Sequence, residues 1–369
     1  MSGDFIPMVV KEIQQETSEA VSILLEYPKD QTDKLDFKPG QYITVKWMDG
    51  EKEFRRSYSL SSVPDDPYLA ITIKEVSGGQ ISPLLARKLK AGDILEILPP
   101  EGRFTAQFGP ENKRNIFLIG AGSGITPLIS IARTALEKEP RSVVILLYGS
   151  RHPDQIIFRE RLDQLSTHYA GQFYVYHTLS KPDVGSGVLK SLFGKKKPEW
   201  TGLKGRINPH RIEETLKKHA VRPDSDLFFL CGPGDLITMG ENTLQAQGIK
   251  TDHIKKEFFT APSDPDPERK PPMATSNKNS SLVIVHLRGE KIEAQVTNES
   301  ILDTLLALGY DAPYSCHSGA CATCMAKVIQ GSVEMDACFA LSDKEVADGY
   351  ILSCQAHPTA PIVEISYDE

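Results

Sequence analysis

Four cysteines constrain this chain more than any other feature. The stretch YSCHSGACATC at 314–324 holds Cys316, Cys321 and Cys324, and Cys354 follows after 29 intervening residues. Before Tyr314 the only cysteine is Cys231. Thiols gathered this tightly must meet in the folded chain, as disulfides or around metal. Composition helps to choose. The 369 residues are 40% hydrophobic and 25% charged, the balance of a globular protein of two or three domains. A net charge of −7 argues against a nucleic-acid partner. The opening MSGDFIPMVV has no basic segment and no apolar run of a signal peptide. No stretch approaches the ~18 apolar residues that a membrane span requires. The chain is therefore expected in the cytoplasm, where disulfides are rare and clustered cysteines bind metal or do chemistry.

The spacing C-x4-C-x2-C with a distant fourth cysteine is the plant-type pattern for a [2Fe–2S] cluster, with Cys316, Cys321, Cys324 and Cys354 as ligands. Ser318, Gly319, Ala320, Ala322 and Thr323 are small enough for the backbone to wrap closely and aim N–H groups at the sulfides. A zinc site usually shows two separate C-x2–4-C knuckles, and here the two pairs of that spacing share Cys321. A Rieske centre needs two histidine ligands, and His317 is misplaced for one. His317 reads as a loop residue and Cys338 as a free structural thiol.

The segment APSDPDPERKPPMATSNKNSS (261–281) has almost nothing to bury and reads as a solvated, proline-stiffened linker. It separates residues 282–369, whose pattern predicts two strands around RGE, a helix over NESILDTLLALGY capped by Asn298, the cysteine loop, a strand MAKVIQGSV and a last strand near PIVEISY. This is a small α+β unit.

Upstream, QYITVKW, RRSYSLSS, LAITIKEV and DILEILPP alternate apolar and polar residues between Gly, Pro and Asp breaks, which predicts an antiparallel barrel over 1–110. Within it lie R-x-Y-S at 56–59 and G-x-x-S at 79–82, the latter just before the helical stretch PLLARKL. Glycine admits close approach of a phosphate, and a serine at a helix start donates to it. PPEGRF (99–104) closes this unit. From 115 to 260 apolar strands alternate with helices, which predicts a doubly wound parallel sheet. Its first strand leads into GAGSGITP (120–127), a pyrophosphate cradle by its place between strand and helix. CGPG (231–234) ends a later strand, where ligand crevices of such sheets lie.

In this order the motifs resemble the ferredoxin–NADP reductase superfamily with a C-terminal plant-type [2Fe–2S] ferredoxin domain, over nearly the whole chain. The layout is similar to reductase components of multicomponent oxygenases, and GACATC and GYILSCQA look like those of the phenylacetyl-CoA epoxidase type; steroid hydroxylase and fatty-acid desaturase reductases share it. The resemblance implies an FAD-binding barrel at 1–110, an NAD(P)-binding domain at 111–260, a linker at 261–281 and a β-grasp ferredoxin domain at 282–369. It implies that Arg56 pairs with a flavin phosphate, Tyr58 stacks on the isoalloxazine, Ser59 hydrogen-bonds near flavin N5 and Ser82 binds the pyrophosphate, favouring FAD over FMN. Gly120, Gly122, Gly124 and Thr126 line the dinucleotide pyrophosphate. Cys231 and Gly232 border the nicotinamide, and Phe258, in KEFF, lies near the flavin. Ser59 and Cys231 are the catalytic candidates.

The implied activity is an NAD(P)H-dependent oxidoreductase that passes electrons through FAD and the cluster to a partner protein, an oxygenase or, alternatively, another hydroxylase, a desaturase, a hybrid-cluster protein or a haem protein. For the nucleotide, an NAD-binding sheet usually places an acidic residue at the tip of its second strand. Here the tip carries Ser150 and Arg151, with Ser180 and Lys181 at the next strand, so NADPH is expected over NADH. The lysine run in GKKKPEW (194–200) reads as a solvated loop rather than a docking patch.

Overall fold

The computed structural model describes residues 5–28, 32–76, 78–79, 81–182, 200–260 and 280–368. The linker reading at 261–279 and the lysine run at 194–199 lie outside the described residues.

The first unit is one antiparallel sheet of β1 (Ile6–Thr17), β2 (Ala20–Glu26), β3 (Tyr42–Asp49), β4 (Lys52–Ser59), β5 (Leu69–Lys74) and β6 (Ile94–Ile97), in the order β4-β3-β6-β1-β2-β5. A bridge between Leu60 and Ile71 joins the two ends and closes the sheet on itself. The alternation in sequence is the reason it closes. Ile6, Met8 and Val10 face inward, while Pro7, Val9 and Lys11 face out. Helix α1 (Ser82–Lys88) plugs the barrel with Leu85.

The second unit holds β7 (Asn115–Ala121), α2 (Ile125–Lys138), β8 (Val143–Ser150), α3 (Arg159–His168), β9 (Phe173–Leu179), β10 (Leu203–Lys204), α4 (Pro209–Lys218), β11 (Leu227–Gly232), α5 (Gly234–Ala246) and β12 (Ile254–Phe258). All strands are parallel, in the order β10-β9-β8-β7-β11-β12. The apolar run of β7 serves both faces. Ile116 and Leu118 join the core under α2 and α3, whereas Phe117 and Ile119 join the core under α4 and α5. The strand order reverses between β7 and β11, so their C-terminal ends flank the crevice of a doubly wound sheet.

The third unit contains β13 (Ser281–Leu287), β14 (Glu290–Val296), α6 (Ile301–Ala307), β15 (Met325–Gln330), β16 (Val333–Met335), α7 (Asp343–Ala347), β17 (Tyr350–Leu352), β18 (Ala356–Pro358) and β19 (Ile362–Ser366). Its main sheet runs β14-β13-β19-β15-β17, and β16 pairs with β18 apart from it. Two expectations are corrected here. The cap of α6 is Ser300, whose Oγ accepts from Asp303 N at 3.1 Å, so Asn298 stands outside the helix. MAKVIQGSV is two strands rather than one. The chain turns at Gly331–Ser332, and each half finds a different partner strand.

The tightest approach in the second unit is between the first turn of α2 and β11. A Cβ on Gly124 would collide with the carbonyl oxygen of Cys231 and the amide nitrogen of Gly232. Backbone cannot retreat as a flexible side chain can, so Gly124→Ala is expected to cost about 1–3 kcal/mol of stability and to weaken nucleotide binding. Denaturant unfolding measures the first effect; unchanged stability would show that the helix can lift without penalty.

Candidate functional site

The crevice between β7 and β11 is built by register. Gly120 pairs with Cys231, and Cys231 pairs in turn with Glu257 on β12. The turn from Gly120 to Thr126 passes through one 3-10 turn, closed by Ile125 N donating to Gly122 O and Ser123 O, into α2, which brings the positive end of its dipole to the crevice. Two hydrogen bonds brace this turn: Tyr148 Oη donates to Gly122 O at 2.8 Å, and Thr126 Oγ1 donates to Ser123 O at 3.0 Å. Thr126 is thus buried and its proton is already committed. At the tips of β8 and β9, Ser180 N donates to Ser150 O and Lys181 N to Arg151 O. The Ser150 hydroxyl is enclosed and has no partner among the described residues, while Arg151 is exposed. A serine hydroxyl beside an exposed guanidinium is a donor set that suits a phosphate on the nucleotide ribose.

The barrel meets this crevice along β4. Ser59 Oγ donates to Glu257 Oε2 at 3.0 Å, and Cys231 Sγ approaches the same oxygen at 3.8 Å. Glu257 keeps partial residue exposure, yet its carboxyl is enclosed between barrel and sheet, and burial pushes its pKa up to about 7. Burial likewise pushes the Cys231 thiol well up, reinforced by the facing carboxylate. Tyr58 stands on the opposite side of β4 from Ser59, half-buried against the barrel core, with its hydroxyl raised by burial. Arg56 Nη1 donates to Arg55 O at 2.7 Å and reaches Ser315 O at 3.5 Å, leaving its other nitrogens for a phosphate. Ser82 Oγ accepts from Val76 N at 3.0 Å, bracing the loop before α1, and keeps its own proton to donate. Phe258 follows Glu257 on β12, and its ring lies 5.7 Å from that of Phe339 in the third unit.

The cysteine loop lies between α6 and β15. Cys316 lies against Cys321 and Cys354, and Cys354 against Cys324, so the four thiols stand together. These contacts pull Cys316 down and push Cys354 up. Ser318 N and Cys321 N point at Cys316 Sγ from 3.4 and 3.3 Å. Gly319 takes φ +68°, and a Cβ there would sit 2.7 Å from Ala337 O. That residue must be glycine on both counts. All six cysteines are free. Among the described residues no three His, Cys, Asp or Glu side chains are arranged as a single-ion site. Four adjoining thiols with amides aimed at sulfur are the donor set of an iron–sulfur cluster. His317 turns away, its ring 4.8 Å from Tyr314 and its Nδ1 3.5 Å from Asp303.

Sequence reading missed Glu257, which lies in the same KEFF that drew attention to Phe258. Only the pairing of β12 with β11 brings it to Ser59. Its linkage to pH has a definite sign. The folded chain holds a proton on Glu257 up to about pH 7, whereas the ordinary group releases it near 4.5. The stability that this contributes is complete below pH 4.5 and is lost as pH rises through 7. Glu257→Gln should therefore escape a decline of about 1.4 kcal/mol per pH unit across that window. Denaturant unfolding of both proteins at pH 5 and pH 8 checks this; parallel behaviour would mean an ordinary carboxyl.

Comparison with known proteins extends over the whole chain. Residues 7–106 match the oxidoreductase FAD-binding domain, 118–242 the oxidoreductase NAD-binding domain and 285–359 the 2Fe-2S iron–sulfur cluster binding domain. A subunit of the 1,2-phenylacetyl-CoA epoxidase of Escherichia coli (strain K12) is 31% identical over 99% of this chain and 98% of its own length. The ferredoxin reductase component of 3-ketosteroid-9-alpha-monooxygenase from Rhodococcus rhodochrous is 32% identical over 98% of this chain and 96% of its own. Among solved structures, phthalate dioxygenase reductase shares the fold with a TM-score of 0.56 and 22% identity, over 98% of each chain. The cofactors are accordingly FAD, a nicotinamide dinucleotide and a [2Fe–2S] cluster. Three matched domains in one order, and relatives alike from end to end, show that the chain belongs to the ferredoxin–NADP reductase superfamily, among the NAD(P)H-dependent oxidoreductases that carry a plant-type [2Fe–2S] ferredoxin domain.

Proposed function

We propose that this chain is the reductase component of a multicomponent oxygenase, taking hydride from NADPH and handing single electrons to a separate oxygenase protein. The observation that supports it most is the meeting of Ser59, Glu257 and Cys231 at the crevice of the parallel sheet. The two relatives named above serve an epoxidase and a monooxygenase and match with nearly equal identity, which supports an oxygenase of that class as the acceptor. Six free thiols support a cytoplasmic location. The domain limits in this reading are 1–110, 111–260 and 281–369; the linker expected over 261–281 gives up Ser281, which opens β13.

In this reading Arg56 and Ser82 hold the FAD phosphates, and Tyr58 supports the ring system. Gly120, Gly122, Gly124 and Thr126 form the dinucleotide cradle, Cys231 and Gly232 border the nicotinamide, and Phe258 flanks the flavin. Cys316, Cys321, Cys324 and Cys354 hold the two irons. Bound flavin converts a two-electron hydride into the single electrons that a [2Fe–2S] centre carries. Ser59 and Glu257 supply the proton side. With a pKa of about 7, Glu257 is close to half-protonated at neutral pH. When protonated, Glu257 can donate to Ser59 Oγ in place of accepting from it, which frees the Ser59 proton for the ligand. Cys231 remains an uncharged thiol and would offer the nicotinamide a small, uncharged neighbour.

Two experiments test this reading. Cys324→Ser is expected to abolish NADPH-driven reduction of cytochrome c and to leave reduction of ferricyanide largely intact, because the hydride side needs no thiol from the third unit. Equal loss of both activities with FAD retained would refute the electron path. For the nucleotide, kcat/KM should favour NADPH over NADH, and Arg151→Ala should lower kcat/KM for NADPH by about ten- to a hundredfold, the worth of one hydrogen bond to a charged group, with little change for NADH. Equal losses for both nucleotides would remove Arg151 from the discrimination.

A further inference from the structure

The strand that carries the flavin motif also grips the cysteine loop. Side chains alternate along β4, so Arg55, Ser57 and Ser59 share the face opposite to Arg56 and Tyr58. Ser59 binds the nucleotide sheet, as described above. Ser57 Oγ donates to Ser315 Oγ at 2.8 Å. Ser57 precedes Tyr58 in the chain, and Ser315 precedes Cys316. One hydrogen bond therefore joins the residue beside the flavin support to the residue beside a cluster thiol.

Arg55 gives this contact a rigid base. The residue is 5% exposed and takes no part in the flavin site. Its Nη2 donates to Asp311 Oδ1 at 2.7 Å, across the boundary between barrel and third unit, and its Nε to Glu53 Oε1 at 2.7 Å. Its guanidinium lies 4.7 Å from the Tyr314 ring centroid and 5.0 Å from that of Phe5. A cation stripped of water in this way is stable only while its partners stay in place, so the arrangement resists sliding. On the far side of the loop, Tyr42 Oη and Thr323 Oγ1 are 3.0 Å apart, and Thr323 donates to Glu101 Oε1 at 2.9 Å. The loop is thus fastened to the barrel beside its first and its third cysteine.

We propose that Arg55 with Asp311, and Ser57 with Ser315, are positioning residues for electron passage from flavin to cluster. They seat the cysteine loop on the strand that supports the flavin and fix the separation of the two centres. The inference rests on the electron path proposed above. Each cluster reduction takes one electron from the hydride-reduced flavin. The two electrons of one hydride therefore cross this contact in two passages, with the cluster emptied to an external acceptor between them. Because the rate of such a step falls steeply with distance, a loosened seat slows it without touching hydride transfer.

Asp311→Ala removes the clamp, and Ser57→Ala removes the short bridge from the barrel side, leaving the sequence of the cysteine loop intact. The holoenzyme is mixed anaerobically with NADPH, and flavin reduction and cluster bleaching are followed separately. Both variants should keep flavin reduction and ferricyanide turnover near the wild-type rate. Cluster bleaching should slow by about ten- to a hundredfold, as expected for misplacement on the scale of an ångström. Asp311→Glu should restore part of that rate. In oxidised protein without NADPH, amide hydrogen exchange over 311–324 should rise in Asp311→Ala. Wild-type bleaching rates in both variants, or flavin reduction and bleaching falling together, would overturn the proposal. A wild-type protein that reduced ferricyanide but never its cluster would instead overturn the electron path on which the proposal rests.

Discussion

One enclosed carboxyl joins the barrel to the parallel sheet at the crevice between β7 and β11. A carboxyl removed from water is costly unless its oxygens are hydrogen-bonded, and Glu257 meets this demand with the Ser59 hydroxyl from the barrel and the Cys231 thiol from the neighbouring strand. Neither partner is local. Ser59 is 198 residues away in sequence and Cys231 is 26. The contact exists only if β4 ends where it does and β11 pairs with β12 in the observed register. Any slip of one residue would turn Glu257 to the other face of the sheet and leave Ser59 unpaired.

That dependence explains what could be read from the sequence. The Gly-rich turn, the R-x-Y-S strand and the cysteine loop are local, because a phosphate, a flavin edge and a cluster each need several groups within a short stretch of backbone. Gly124 and Gly319 are legible as glycines for the same reason, since the space around each excludes a side chain. Glu257, Arg55 and Asp311 are different. Each is an ordinary charged residue in its own strand or loop, and its role comes from a partner far along the chain. The cap of α6 failed for a smaller reason. Asn298 and Ser300 are both good caps, and the choice between them was decided by Asp303, three residues beyond Ser300.

The three units divide the work by how much water they admit. Ser59 and Cys231 are buried, which in the proposed reading keeps water from a reactive carbon. Of the four clustered thiols Cys324 and Cys354 are buried, whereas Cys316 and Cys321 are half-buried. In that reading a partner protein comes close to the cluster without opening the crevice between barrel and sheet. Strand β4 runs between the two regions and is hydrogen-bonded to both.

The order of strands in the third unit also governs how the protein is made. In its sheet β19 lies between β13 and β15, with β13 parallel to it and β15 antiparallel. On the ribosome β19 is synthesised last of the three, so the sheet lacks its middle until Ile362–Ser366 have emerged. Tyr367, just beyond, donates to Ser353 Oγ, which in turn donates to Cys324 O. The thiols therefore reach their final places only after the barrel and the nucleotide sheet have already been synthesised in full. Nascent chains should then meet the iron-delivery machinery with their flavin half complete and their cysteine half still open.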